Sequence, residues 1–252
     1  GYTAIYALND LVDYRSDKEK SDQPTAAPEH YLDALMVRHP MALGLLTLKD
    51  GILWTAGWTL VALIGAYLLN PMCVVIFVAG AVLETVYCLL WSVSPWRSVV
   101  SGFVKNSGPV AALFAVDPSP SPFFTMLLFL GLFFWEIGGQ NIPADWTDVD
   151  ADRRFKAKTI PVHLGKDKSA SLMLAALLVA FLLITLMFGF QFPGPSWLSM
   201  LLAAGMGTAL LLVPAIKLYS GKKRQDAISL FNLASYYPLS LLAISLILLL
   251  IS

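Results

Sequence analysis

Two short acidic stretches hold the side chains best able to do chemistry. The first reads Asn9-Asp10-Leu11-Val12-Asp13-Tyr14-Arg15-Ser16-Asp17, and the second Asp145-Trp146-Thr147-Asp148-Val149-Asp150-Ala151-Asp152. At about 100° per residue, Asn9, Asp10, Asp13 and Asp17 fall within roughly a 100° arc, so a helix carries them on one face. Asp145, Asp148 and Asp152 repeat the three-then-four spacing, while Asp150 points away as a solvated bystander. Carboxylates three and four apart repel one another. Near a bilayer the cost of charge is higher, about 2.5–3.5 kcal/mol per ion at the centre even on the lenient insertion scale. Something cationic must compensate. Sparse, hard oxygen ligands suit Mg²⁺, which keeps several waters and is held by one or two carboxylates plus substrate phosphates. Two such clusters facing one cavity would make a diphosphate site. Acidic residues also mark helix ends in water, but structural charge runs rarely repeat a one-faced pattern twice.

The elements that must position these residues follow from composition. Of the 252 residues, 57% are hydrophobic and 13% charged, and the mean hydropathy is +0.69, outside the range of an ordinary soluble domain. The 17 basic residues equal the 17 acidic ones, so no net charge draws the chain to nucleic acid. A bilayer core needs roughly 20 apolar residues per helix, a template met over 52–69, 71–92, 122–141, 169–190, 197–216 and 227–251. Residues 99–116 are also long enough, although Lys105, Asn106 and Pro109 interrupt them, and 1–12 make a partial eighth. Apolar runs of this length without period-two alternation select helices. The expected fold is therefore all-α, a multi-pass transmembrane bundle of about eight helices. The opening residues resemble the end of a hydrophobic helix, so truncation at the N-terminus is expected, with 1–252 forming one domain. Threading the spans alternately puts every Lys and Arg but Lys105 in loops on one side, with Lys105 within two turns of that face. The positive-inside rule makes it cytoplasmic, and both acidic clusters sit there.

At this point the residues resemble the UbiA superfamily of intramembrane prenyltransferases, whose signatures are Asn-Asp-x-x-Asp-x-x-x-Asp and Asp-x-x-x-Asp. The first matches 9–17 and the second Asp148 to Asp152. Past the second motif, Lys158-Thr159-Ile160-Pro161-Val162-His163-Leu164-Gly165 is similar to the family's Thr-x-Pro-Val-x-Leu-Gly stretch, and Glu136 stands where relatives often carry an acidic residue. The resemblance covers essentially the whole chain. It implies nine transmembrane helices in the family, so the first helix and part of the second are expected to be absent here. It further implies that Asn9, Asp10, Asp13 and Asp17 bind one Mg²⁺ and Asp145, Asp148 and Asp152 another, bridging diphosphate oxygens, with Asp13 and Asp148 the catalytic residues. Asn9, Arg38, Lys105, Arg154 and Lys158 are the implied diphosphate ligands. Arg38 belongs to Arg38-His39-Pro40, the nearest counterpart of a basic element that relatives place sooner after the first motif. The partners implied are a prenyl diphosphate donor, a small lipophilic or aromatic acceptor, and the lipid bilayer.

The implied reaction is Mg²⁺-dependent ionisation of a prenyl diphosphate and transfer of the prenyl group to an aromatic, quinone-precursor-like acceptor. Within the superfamily the acceptor could instead be a glycerol phosphate lipid precursor or a haem or chlorin, or the donor a phosphoribosyl diphosphate attacked by a prenyl phosphate. A cation-coupled transporter is the reading from another class, but it should place its carboxylates near the midplane on broken helices. Cys73 and Cys88 lie in apolar runs and are expected to be small buried side chains without chemistry. His30, His39 and His163 lack a spacing suited to a metal and receive no catalytic role. Glu84 and Glu136, inside apolar runs, are expected to be protonated or matched to a Lys. Most of the seven tryptophans, which lie mainly near span ends, are expected to anchor at the interface.

Overall fold

Hydrocarbon offers no partner to a backbone N–H or C=O, so apolar runs must close their hydrogen bonds internally. In the computed structural model, which describes residues 1–21, 39–191 and 196–251, all regular structure is accordingly helical. Seven helical stretches among the described residues are long and apolar enough to cross a membrane: Leu48–Leu69, Pro71–Leu89, Arg97–Val116, Pro122–Thr147, Ile160–Phe190, Trp197–Gly221 and Arg224–Leu250. They correspond to the seven long spans expected from the sequence, with the second ending at Leu89 and not at 92, and several others extended by up to a few turns. The described residues pack as two compact units, Gly1–Pro120 and Ser121–Ser252.

In the first unit, α1 (Tyr2–Val12) leads into a short α2 (Tyr14–Ser21), followed by α3 (Leu48–Leu69), α4 (Pro71–Leu89) and α5 (Arg97–Val116). α1 packs on α3 and α4, and α4 on α5. Start signals are local. Thr47 and Asp50 form a reciprocal capping box on α3, satisfying two otherwise orphaned N–H groups. Asn70 caps α4 ahead of Pro71, and its amide also donates to Phe114 O at 2.9 Å, tying the start of α4 to the end of α5. α5 runs unbroken through Pro109. α3 buries little beyond Gly51 and Thr55, leaving Leu53, Leu60, Ile64 and Leu68 exposed; such an apolar surface suits lipid.

The second unit runs α6 (Pro122–Trp135), a π-helical segment (Glu136–Asn141), α7 (Ile142–Thr147), α8 (Val149–Arg154), α9 (Ile160–Gln191), α10 (Ser196–Gly207), a second π segment (Thr208–Leu212), α11 (Val213–Gly221) and α12 (Arg224–Ile251). α9 is its centre, packed on α6, α7, α8, α10 and α11. The stripe Met173, Ala176, Leu177, Ala180, Ile184 and Phe188 is buried, whereas Leu178, Leu182 and Phe190 are exposed, the two-faced pattern of a helix with core on one side and lipid on the other. The first π segment widens one turn immediately before the second acidic motif, a feature common at functional sites. It is pinned to α12 by Trp135 Nε1 donating to Ala234 O at 3.0 Å and by Ser235 Oγ bonded to Gln140 Oε1 at 3.3 Å. Trp135 is thus a tie within the unit and Trp146 is buried, two exceptions to the anchoring expected of most tryptophans.

Gly138 lets that segment sit against α9: a Cβ there would lie 2.8 Å from Leu177 Cγ and 2.9 Å from Met173 O. Overpacking of this kind costs about 1–3 kcal/mol. Gly138→Ala is therefore expected to lower the thermal midpoint in detergent, while Gly205→Ala, with nothing within 4 Å, leaves it unchanged; equal midpoints for the two would contradict the packing described.

Candidate functional site

The continuous acidic helix expected at each motif is corrected at one residue in both. α1 ends at Asp13, with φ −87° and ψ 0°, and α7 ends at Asp148, with φ −107° and ψ 9°. Both occupy the sparsely allowed bridge region where many active-site residues sit. The i to i−4 connections persist across the breaks: Asp13 N–H bonds Asn9 O at 2.9 Å, Asp17 N–H bonds Asp13 O at 2.9 Å, and Asp152 N–H bonds Asp148 O at 2.8 Å. Each middle aspartate is thus a hinge between two helical pieces that keep the chain path but not one rigid face.

In the first motif, Asp10 and Asp17 meet at His39. Its Nδ1 donates to Asp10 Oδ1 at 3.0 Å and lies 2.8 Å from Asp17 Oδ2, and Asp17 is buried. His39 reaches this position with a left-handed φ of 53°, a conformation for which His is enriched among non-glycine residues. The hydrogen bond to Asp10, then that to Asp17, raises the imidazole pKa to about 9. An imidazolium at His39 supplies compensating positive charge of the kind the sequence demanded. Sequence spacing gave His39 no place at the site, because 21 residues separate it from Asp17 and only the fold returns it. Arg38 and His30 lie outside the described residues.

Asn9 turns to a different neighbour. Its Nδ2 donates to Glu84 Oε1 at 2.6 Å and to Cys88 Sγ at 3.3 Å, and the Cys88 thiol also bonds Asp13. Both cysteines are buried and free, as expected, but Cys88 touches the motif. Glu84, expected to be protonated or matched to a Lys, is met by an amide, with Lys105 among its electrostatic neighbours. Lys105 bonds the Tyr6 hydroxyl and stands 4.4 Å from the Tyr6 ring centroid and 5.9 Å from that of Tyr2, one turn of α1 before Asp10. Arg97, absent from the sequence-derived set, stacks 4.8 Å over Tyr87 at the start of α5.

In the second motif Asp145 is buried, Asp148 and Asp150 are exposed, and Asp152 is half-buried. Thr159 Oγ1 donates to Asp152 Oδ2 at 3.0 Å, so the Lys158-Thr159 stretch is folded back onto the motif, with Arg154 and Lys158 exposed beside it. That stretch ends at Gly165, whose φ of 74° favours glycine strongly. Arg224, also missed, donates from Nε to Thr147 O at 3.1 Å, satisfying a terminal carbonyl of α7 where the chain turns at Asp148. Upstream, buried Glu136 accepts from Asn141 Nδ2 at 2.7 Å within the π segment.

Among the described residues, Asp10, Asp17 and His39 form a group whose ligand atoms all lie within 4.8 Å of one another; Asp145, Asp148 and Asp152 do not converge to that degree. The carboxylate oxygens of Asp10 and Asp17 fit magnesium, which takes hard oxygen donors. The His39 nitrogen is a poorer donor for it, and its place is that of a counter-charge.

The sequence profile of the UbiA prenyltransferase family matches residues 1–237. No curated protein matches the chain. Among solved structures, the chain is similar to the apo structure of a UbiA homolog from Aeropyrum pernix K1, at TM-score 0.74 and 18% identity, over 98% of this chain and 84% of that one. It is also similar to a digeranylgeranylglyceryl phosphate synthase, at TM-score 0.69 and 18% identity, over 97% of this chain and 80% of the other.

A raised imidazole pKa means that the His39 ion pair contributes fully below the ordinary value near 6.5 and is lost as pH rises through about 9. In EDTA, the stability advantage of wild type over His39→Asn is therefore expected to shrink between about pH 6 and about pH 9.5. Thermal midpoints of both proteins across that range check it, and a constant difference would mean that no charge is carried there.

Proposed function

The chain belongs to the UbiA prenyltransferase family, and from that premise we propose that it takes the prenyl group of a prenyl diphosphate and passes it to an aromatic acceptor of the quinone-precursor kind. The observation that carries the reading is the repeated device: two acidic motifs of matched spacing, each hinged at its middle aspartate, Asp13 and Asp148. A structural scaffold has no need to place the same costly arrangement twice at the ends of apolar helices.

The chemistry sets the roles. Breaking the allylic C–O bond leaves the electron pair on the diphosphate and an allylic cation on the prenyl chain, and the acceptor then bonds the cation and gives up a proton. Magnesium held by Asn9, Asp10, Asp13 and Asp17 and by Asp145, Asp148 and Asp152 would supply positive charge to the diphosphate oxygens. Arg154 and Lys158, exposed beside Asp152, stabilise the charge developing on the leaving group, as preorganised cations do best in a low-dielectric setting. At the first motif Lys105, held against Tyr2 and Tyr6, and Asn9 serve as diphosphate ligands, with Arg38 as a further one. The apolar helices keep water from an allylic cation that water would quench.

The seven candidate spans and the family place the protein in a membrane. The basic residues cluster in the loops of one side, so the reading puts the motifs on the cytoplasmic face. A glycerol phosphate acceptor is the second reading, prompted by the synthase among the folds this chain resembles.

Diphosphate release and prenyl transfer by the full-length protein in detergent test the proposal, with Mg²⁺ or EDTA and with 4-hydroxybenzoate, dihydroxynaphthoate or a glycerol phosphate as acceptor. Transfer to an aromatic acceptor is expected, abolished by EDTA and lowered about 100-fold or more by Asp13→Ala and by Asp148→Ala. Transfer to the glycerol phosphate alone would move the assignment to the second reading. Ion-dependent uptake into vesicles without any metal-dependent diphosphate chemistry would overturn both.

A further inference from the structure

Asn9 is the one motif residue whose side chain can present either an oxygen or an NH₂ group, since an amide flips between two nearly isosteric states. Its partners lie on α4. Glu84 and Cys88 are four residues apart, hence one above the other on that helix. Asn9 Nδ2 donates to Glu84 Oε1 at 2.6 Å and to Cys88 Sγ at 3.3 Å. An amide NH₂ carries two hydrogens, and these two acceptors take both. Flipping the amide would set Oδ1 against the Glu84 oxygen, acceptor against acceptor. The oxygen is therefore the atom left for a ligand.

Glu84 is itself 7% exposed, inside a helix long and apolar enough to span a membrane, where a carboxylate is expensive and usually serves function. Its electrostatic neighbours are Lys105, Asp13 and Arg97, so it sits among the groups of the first motif. Cys88 extends the contact, bonding Asp13 as well as Asn9.

We propose that Glu84 is a positioning residue that fixes the Asn9 amide with its oxygen presented as a ligand for cation and diphosphate, and that it is the reason the motif opens with Asn and not Asp. The inference rests on the function proposed above. An aspartate at position 9 would set a carboxyl where the Asn9 amide now lies 2.6 Å from Glu84 Oε1, and such a pair holds together only by sharing a proton; an amide offers an oxygen outward and hydrogens inward without one. Outer-shell partners of this kind commonly alter metal affinity about 10–100-fold when removed.

The test uses Glu84→Leu, Glu84→Gln, Asn9→Asp and the double variant Asn9→Asp/Glu84→Gln in the full-length protein, each checked for folding by gel filtration and thermal midpoint. Mn²⁺ binding is read by electron paramagnetic resonance without prenyl substrate, and the Mg²⁺ concentration for half-maximal transfer is read separately from kcat. Glu84→Leu is expected to weaken Mn²⁺ binding and raise the Mg²⁺ requirement about tenfold, whereas Glu84→Gln, which still accepts from the amide, stays within about threefold of wild type. Asn9→Asp is expected to fail in the wild-type background and to recover in the Glu84→Gln background, where the new carboxylate meets an NH₂ group. The inference is overturned if Glu84→Leu folds and leaves both readouts unchanged, or if Asn9→Asp is equally impaired in either background. Should Glu84→Leu not fold, the Asn9→Asp pair decides alone. Wild-type protein that shows this Mn²⁺ coupling but transfers no prenyl group would sink the transfer reading and keep the Glu84–Asn9 relation; transfer without the coupling would do the reverse.

Discussion

Carboxylates gathered at the ends of apolar helices repel one another and lose the water that would otherwise screen them, and that cost must be met by positive charge or by hydrogen-bond donors. Asp10 and Asp17 meet it with the imidazole of His39, and Asp152 is met by the Thr159 hydroxyl. Under the proposed chemistry a divalent cation would answer the same demand, because it carries the counter-charge that clustered carboxylates require. Structure and proposed chemistry thus spring from one electrostatic imbalance.

The breaks at Asp13 and Asp148 follow from that imbalance. A rigid helix would hold i, i+3 and i+4 carboxylates at fixed, repulsive separations. A residue near φ −90° and ψ 0° releases the side chains on either side while keeping the chain path, as the persistent i to i−4 bonds show. Polar groups beside the breaks are then met by partners the fold brings in, Thr147 O by Arg224 and Asp17 by His39. The π segment before the second motif, closed by Glu136 and Asn141, is a second relaxation of ideal helix geometry beside an acidic motif, and Gly138 permits it by letting α9 approach.

Away from the motifs, association of helices in lipid gains little from burying apolar surface and depends on close packing and internal polar bonds. Small residues at contacts accordingly recur, with Gly80 against Ser107 in the first unit and Gly207 against Phe181 in the second. Ser199 Oγ donating to Phe188 O at 2.8 Å adds a polar tie at an otherwise apolar contact.

Composition and run length by themselves determined that this chain is helical and built for a bilayer, because no other regular structure satisfies its backbone in hydrocarbon. The motif residues carried the resemblance to the family, and their spacing picked out Asp10, Asp13, Asp17, Asp145, Asp148 and Asp152, since three-then-four periodicity is a local property that survives in one dimension. The hinges were not legible: Asp13 and Asp148 differ in no sequence signal from residues inside a continuous helix, and only the surrounding contacts fix their backbone. Nor were His39, Glu84, Cys88, Arg97 and Arg224, which reach their partners across separations of 10 to 79 residues. Pairings of that kind depend on which helices pack together and at what depth, and the tertiary structure alone decides that.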